Sequence, residues 1–170
     1  MLTSQHITKS GRSIVDLSYE KPVLLVFLRH FGCSFCREAM ADIRERKDRI
    51  KNRGVNIVLV HMASHEIAEE YFDKYDLSDL DSISDPNCEM YQSFGLVKGN
   101  FKQLFGLRSW IRGFEAGVVQ GHGVGPMLGD GFQMPGVFLI KDGKIENRFI
   151  HQFASDRPDY SGLLDCCVPV

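Results

Sequence analysis

Residues 23–52, VLLVFLRHFGCSFCREAMADIRERKDRIKN, decide how this chain folds. Val23 to Phe31 opens with apolar residues at odd and even positions alike, the pattern of a strand covered on both faces. From Cys36 to Asn52 the composition turns heavily charged. Ala39, Met40, Ile43 and Ile50 keep a helical apolar stripe there, and Gly54 is placed to stop the helix. Val55 to Met62 (VNIVLVHM) repeats the buried-strand pattern. These three segments predict a βαβ unit with a right-handed crossover.

Beyond this unit, Ser64 is a plausible N-cap for a helix through about Tyr75, with Glu66 and Glu69 near its positive end. Asp85-Pro86 predicts the opening of a short helix carrying Cys88, Met90, Tyr91 and Phe94. Phe101 to Val119 reads as one interrupted helix, followed by a glycine-rich loop over 121–131, GHGVGPMLGDG. Val137 to Ile140 is a strand, and Asp142-Gly143 a tight turn into Lys144 to Ile150, so the two strands should be antiparallel. Pro158 to Cys167 predicts a final helix with proline near its first turn. With no repeat, linker or low-complexity tract, residues 1–170 read as one domain.

Composition removes several function classes. The 20 Lys and Arg against 22 Asp and Glu give a net charge of −2, without the basic excess of a dedicated nucleic-acid surface. No apolar run approaches the roughly 20 residues needed to span a bilayer. Met1 to Gly11 is polar, so we expect no signal peptide and a cytoplasmic setting. The charged run Arg37 to Lys51 alternates in sign and reads as a solvated helix face laced with i,i+4 pairs.

The five cysteines are Cys33, Cys36, Cys88, Cys166 and Cys167. An odd number at irregular spacing makes a poor disulfide framework. Cys33-Ser34-Phe35-Cys36 falls where a buried strand hands over to a helix. Free N–H groups at a helix start favour an anion, and Arg29, His30 and Arg37 stand ready to act the same way. On a redox reading Cys33 is the exposed attacking thiolate and Cys36 the shielded resolving thiol. Two other readings stay open: half of a zinc site, and a pair of structural cysteines. Cys166 and Cys167 are adjacent and the histidines form no paired motif, so a closed zinc site lacks ligands at suitable spacing.

Met134-Pro135-Gly136 precedes a strand and its Asp-Gly hairpin, where proline marks a turn or a cis bond. The order βαβ, helix, proline, β-hairpin and final helix resembles the thioredoxin fold. The blocks VFLRHFGCSFCRE (Val26 to Glu38), GDGFQMPGVFLI (Gly129 to Ile140) and DRPDYSGLL (Asp156 to Leu164) are similar to the peroxiredoxin-like branch of the AhpC/TSA superfamily. The resemblance implies an α/β fold, a central mixed sheet flanked by helices, with an insertion between the βαβ half and the C-terminal hairpin half. It implies a cis-proline at Pro135 facing the CxxC, and substrate positioning by Pro135, the Met134 backbone and Arg29.

The departures shape the functional expectation. Taking Cys36 as peroxidatic in Pro-x-x-x-Thr-x-x-Cys puts Cys33 at the threonine and Arg29 at the proline; taking Cys33 puts His30 and Val26 there. Gly32 stands where thioredoxins carry tryptophan, Phe27 where they carry a buried acid, and Ser34-Phe35 where they carry Gly-Pro. The expectation is therefore a thiol oxidoreductase acting on a peroxide or a protein disulfide, with endoperoxide lipids as a third class. Cys33 attacks, Cys36 resolves, and an external thiol reductant such as a thioredoxin system restores the dithiol. No metal or organic cofactor is expected, and a homodimer is allowed for. The rivals are a non-catalytic binding or redox-sensor module and, last, a zinc-binding module.

The remaining features carry weaker signals. Gly121, Gly123 and Gly125 lack the spacing of a nucleotide loop, since Pro126 interrupts it. His122 reads as an exposed loop histidine or a catalytic acid. Phe101, Phe105, Trp110 and Phe114 read as core or as the wall of an apolar pocket. Cys88 reads as a small packing residue, and Cys166 with Cys167 as a candidate extra resolving pair.

Overall fold

The computed structural model describes residues 6–100, 104 and 128–168. Among them are α1 (Ile14–Glu20), β1 (Val23–Phe27), α2 (Ser34–Asn52), β2 (Asn56–His61), α3 (His65–Lys74), β3 (Asp81–Ser84), α4 (Glu89–Ser93), β4 (Gly136–Lys141), β5 (Lys144–Ile150) and α5 (Tyr160–Asp165). The strands form one sheet in the order β3-β2-β1-β4-β5. β1 pairs parallel with β2 and antiparallel with β4, so the sheet is mixed. This is the thioredoxin-like α/β architecture. Among the described residues, no helix is long and apolar enough to cross a membrane.

The two-sided burial of β1 divides the core. Leu24, Val26 and Leu28 pack with Cys36, Met40 and Ile43 of α2 and with α3 and α5. Val23, Leu25 and Phe27 face the other way, onto Ile14 and Leu17 of α1 and Met90 and Tyr91 of α4. Period-2 alternation along one strand thus fills two cores, which is why its sequence is apolar throughout. The hairpin also forms as expected: Asp142 (φ 50°) and Gly143 (φ 71°) both take the left-handed conformation a tight two-residue turn demands.

Several elements depart from the sequence expectations. β1 stops at Phe27 rather than Phe31. The Tyr91 hydroxyl donates to the carbonyls of Leu28 (2.6 Å) and Val60 (3.1 Å), capping the strand end and releasing residues 29–33 as a loop. Helix α1, capped by the Ser13 hydroxyl, was not anticipated, nor was β3. The edge of β3 is covered by the N-terminal segment, where Lys9 N–H donates to Ser82 O at 2.7 Å. The final helix is shorter than expected, because Asp159 caps it and Pro158 lies outside.

The charged face of α2 is not simply solvated. Glu38, Asp42 and Lys47 are buried. Lys47 Nζ reaches Asp79 Oδ1 (2.9 Å) and Asp76 Oδ2 (3.1 Å), tying the helix to the turn before β3. Arg157 clamps Glu38 and Asp42 from the segment before α5. Long-range partners make these burials tolerable. The predicted helix over 101–119, and the glycine-rich loop before Leu128, lie outside the described residues.

Candidate active site

The loop released at Phe27 runs straight into α2, and Cys33 is that helix's N-cap, with backbone φ −81°, ψ 130° and no side-chain capping bond. Its thiol is half-buried, whereas Cys36, in the first turn, is buried against the α2–β1 core. Both thiols are free. Burial, reinforced by the nearby Cys33, pushes the Cys36 thiol up, so it stays protonated at neutral pH. The backbone of Arg29 opposes that shift by hydrogen-bonding Cys36.

Arg29 is the charged neighbour the geometry delivers. Its Nη1 stands 3.0 Å from Cys33 Sγ, and its Nη2 donates to the Gly131 carbonyl at 2.5 Å. The side chain is buried, so its charge acts at short range with little solvent screening. The other two expected cations act differently. Burial and the adjacent Arg29 lower His30 to about 4, so its imidazole is neutral near pH 7 and adds no positive charge. Arg37 turns back, donating from Nε to Phe31 O at 3.0 Å and lying over the Tyr71 ring, which stacks on Phe31.

Among the described residues no peptide bond is cis, so the bond before Pro135 is trans and the expected cis-proline is corrected. Pro135 nevertheless lines a cavity of about 30 Å³ together with Cys36 and Arg29. Met134 is buried and shares a small cluster with Phe35 of the CxxC loop. Its backbone N–H is donated to Val97 O at 3.3 Å.

The cavity also exposes what the sequence reading missed. Glu38, Asp42, His151, Asp156, Arg157 and Tyr160 share it with Cys36. The tail DRPD supplies Arg157, whose partner Asp42 lies 115 residues away in α2, so no local spacing signals the cluster.

The other cysteines sit apart. Cys88 packs in the core on the opposite face of the sheet. Cys166 and Cys167 lie at the far end of α2, where Arg53 pairs with Asp165 and donates to Val168 O. Seventeen residues of chain from Cys36 to Arg53 correspond to about 25 Å at helical rise. Cys167 is pushed up to about 11, first by its hydrogen bond with Cys166. Among the described residues, no three His, Cys, Asp or Glu side chains converge as metal ligands.

The fold has known counterparts. At 28% identity over 165 residues the chain resembles a prostamide/prostaglandin F synthase of Salmo salar, covering 92% of this chain and 78% of that protein. It is 25% identical to the thioredoxin-like protein AAED1, chloroplastic, of Arabidopsis thaliana, over 91% of this chain, and spans 65% of that protein's length. Its fold resembles peroxiredoxin 6 of Arenicola marina, with TM-score 0.63 and 13% identity over 96% of this chain and 70% of that one. The peroxidoxin BcpB of Mycobacterium tuberculosis superposes with TM-score 0.60 at 14% identity, covering 91% of this chain and 90% of that one. The model of the AhpC/TSA family matches residues 4–148. With the mixed sheet and the cysteine at the start of α2, that match over most of the sequence settles the family: the chain belongs to AhpC/TSA.

Proposed function

We propose that the chain is a peroxiredoxin-like, thiol-dependent oxidoreductase in which Cys33 attacks a peroxide oxygen or a disulfide sulfur and Cys36 resolves the product. The observation that carries this reading is the Arg29 guanidinium 3.0 Å from Cys33 Sγ, with a buried thiol one helical turn behind. A charge-assisted bond at the more exposed sulfur, and a protonated partner at the buried one, divide the labour between attacker and resolver. Attack on a peroxide leaves Cys33 as sulfenic acid and releases water or an alcohol; attack on a disulfide leaves a mixed disulfide and a thiolate. In either case Cys36 displaces the remaining group, closing a Cys33–Cys36 disulfide. An external dithiol of thioredoxin type then returns two electrons. Pro135, beside Cys36 and Arg29, holds the incoming partner. Residues 1–170 act as one thioredoxin-like domain, in the cytoplasm.

The test is oxidation of the fully reduced protein with one equivalent of hydrogen peroxide, or of a small disulfide, followed by mass-spectrometric mapping. A Cys33–Cys36 bridge is expected, and Cys33→Ser should abolish consumption of the oxidant. Full turnover in that variant, or ordinary free-cysteine reactivity toward both oxidants, removes the assignment.

A further inference from the structure

Resolution requires the Cys36 thiol to give up its proton inside the protein, because its side chain is buried. The adjoining cavity of about 30 Å³ has room for roughly two water molecules. Tyr160 lines it from the start of α5; its side chain is buried, yet its hydroxyl makes no hydrogen bond to any described residue. The hydroxyl is not fully enclosed, so it is positioned to bond cavity water.

The charges around Tyr160 give the proton a direction. Its phenol is pushed up by burial and then by Asp42, with Arg46 and Arg157 acting the other way and Cys36 within electrostatic reach. It therefore keeps its O–H at neutral pH, able to accept one proton while passing on another. Asp42 lines the same cavity, held by Arg157 Nε at 3.1 Å and Arg46 Nη1 at 3.3 Å. His151, also on the cavity, is lowered to about 4 by burial, so its ring is neutral at pH 7.

We infer that Tyr160 is a proton-relay residue for the resolving step, carrying the Cys36 proton through cavity water to the Asp42 carboxylate. This rests on the Cys33–Cys36 dithiol reading above. The Cys36 S–H bond breaks and its proton passes by way of the Tyr160 oxygen to Asp42. The sulfur's electron pair forms the Cys33–Cys36 bond, and the bond from Cys33 to the oxidant's residue breaks. That group leaves with its electron pair and is protonated from solvent; Asp42 returns its proton to water.

A chromogenic aryl disulfide separates the steps, since attack by Cys33 releases one coloured thiolate and resolution by Cys36 a second. In Tyr160→Phe the first phase should keep its rate, the second should slow about ten-fold at neutral pH, and the deficit should close as hydroxide rises. Thermal stability should hold, because the hydroxyl removed has no described protein partner. Asp42→Asn should slow the same phase. An unchanged second phase in Tyr160→Phe overturns the relay while leaving the dithiol reading intact. Equal slowing of both phases, or slowing at every pH alike, makes Tyr160 merely structural and also overturns it. Absence of a second phase in the unmodified protein overturns the dithiol reading itself.

Discussion

One guanidinium joins the nucleophile candidate to a distant loop: Arg29 Nη1 stands 3.0 Å from Cys33 Sγ, and Arg29 Nη2 holds the Gly131 carbonyl. The arginine sits in the loop opened by the early end of β1, and Gly131 lies just ahead of β4. The positive charge at the sulfur is thus positioned by a segment 102 residues further along the chain.

Arg29→Met keeps the buried volume and removes the charge. A hydrogen bond from a charged group is worth about 1.5–3 kcal/mol, so the second-order rate of Cys33 toward its oxidant should fall roughly 10- to 150-fold. Arg29→Lys should recover part of that loss, because an ammonium supplies the charge but not the fork that serves both partners. Stopped-flow oxidation of the reduced protein measures both variants, and parent-like rates in Arg29→Met would show that the contact is incidental.

The loop that anchors Arg29 has its own steric requirement. Gly129 has φ +116°, and a Cβ added there would stand 2.7 Å from Met62 Cβ, an atom fixed by the backbone. Gly129→Ala should therefore cost about 2 kcal/mol or more in unfolding free energy. It should also slow Cys33, since Gly131 is two residues away. Gly95→Ala provides the contrast: φ is +75° but the space is open, so only a backbone strain of roughly 1 kcal/mol applies. Denaturant titration of both variants distinguishes the cases, and equal losses would contradict the Met62 contact.

Strong local chemistry made much of this molecule readable in advance. The βαβ unit announced itself through long two-sided apolar runs, the Ser64 cap through its position before a helical stripe, and the hairpin through Asp142-Gly143. What escaped notice depends on distant partners. The polar segment Asp81–Ser84 becomes a strand only by pairing with β2, and Lys47 becomes a buried residue only because Asp79 comes round to meet it. The same holds at the site. Cys33 and Cys36 declared themselves by spacing, but His30, expected as a cation, is neutralised by burial beside Arg29. The cavity behind Cys36 needs α2, β1 and the approach to α5 to converge before it exists.

The strand end that frees the Arg29 loop is held by one hydroxyl. Tyr91→Phe removes the donor that serves Leu28 O and Val60 O. Val60 O keeps its bond from Leu28 N–H at 2.9 Å, so one carbonyl loses a buried partner. The expected cost is about 1–3 kcal/mol, or roughly 2–10 °C in thermal midpoint for a chain of this size. Calorimetry measures it, and a midpoint unchanged within error would mean that water replaces the tyrosine hydroxyl.

Acid should weaken the fold through His61. This residue is fully buried, its Nδ1 lies 2.9 Å from Ala63 O, and its Nε2 has no partner among the described residues. Burial, and then the neighbouring His65, lower it from 6.5 to about 4. Because the folded value is depressed, the unfolded chain binds the proton more readily. The stabilising contribution of the neutral ring is complete above the unfolded value of 6.5 and is lost as pH falls toward 4. Between pH 7 and pH 5 that loss is about 2 kcal/mol for this one group. His61→Gln should flatten the pH dependence of unfolding free energy by roughly that amount, leaving the part due to His30 and His151, which shift in the same direction. Urea unfolding at the two pH values supplies the comparison, and an identical slope in the parent and His61→Gln would place the acid sensitivity elsewhere.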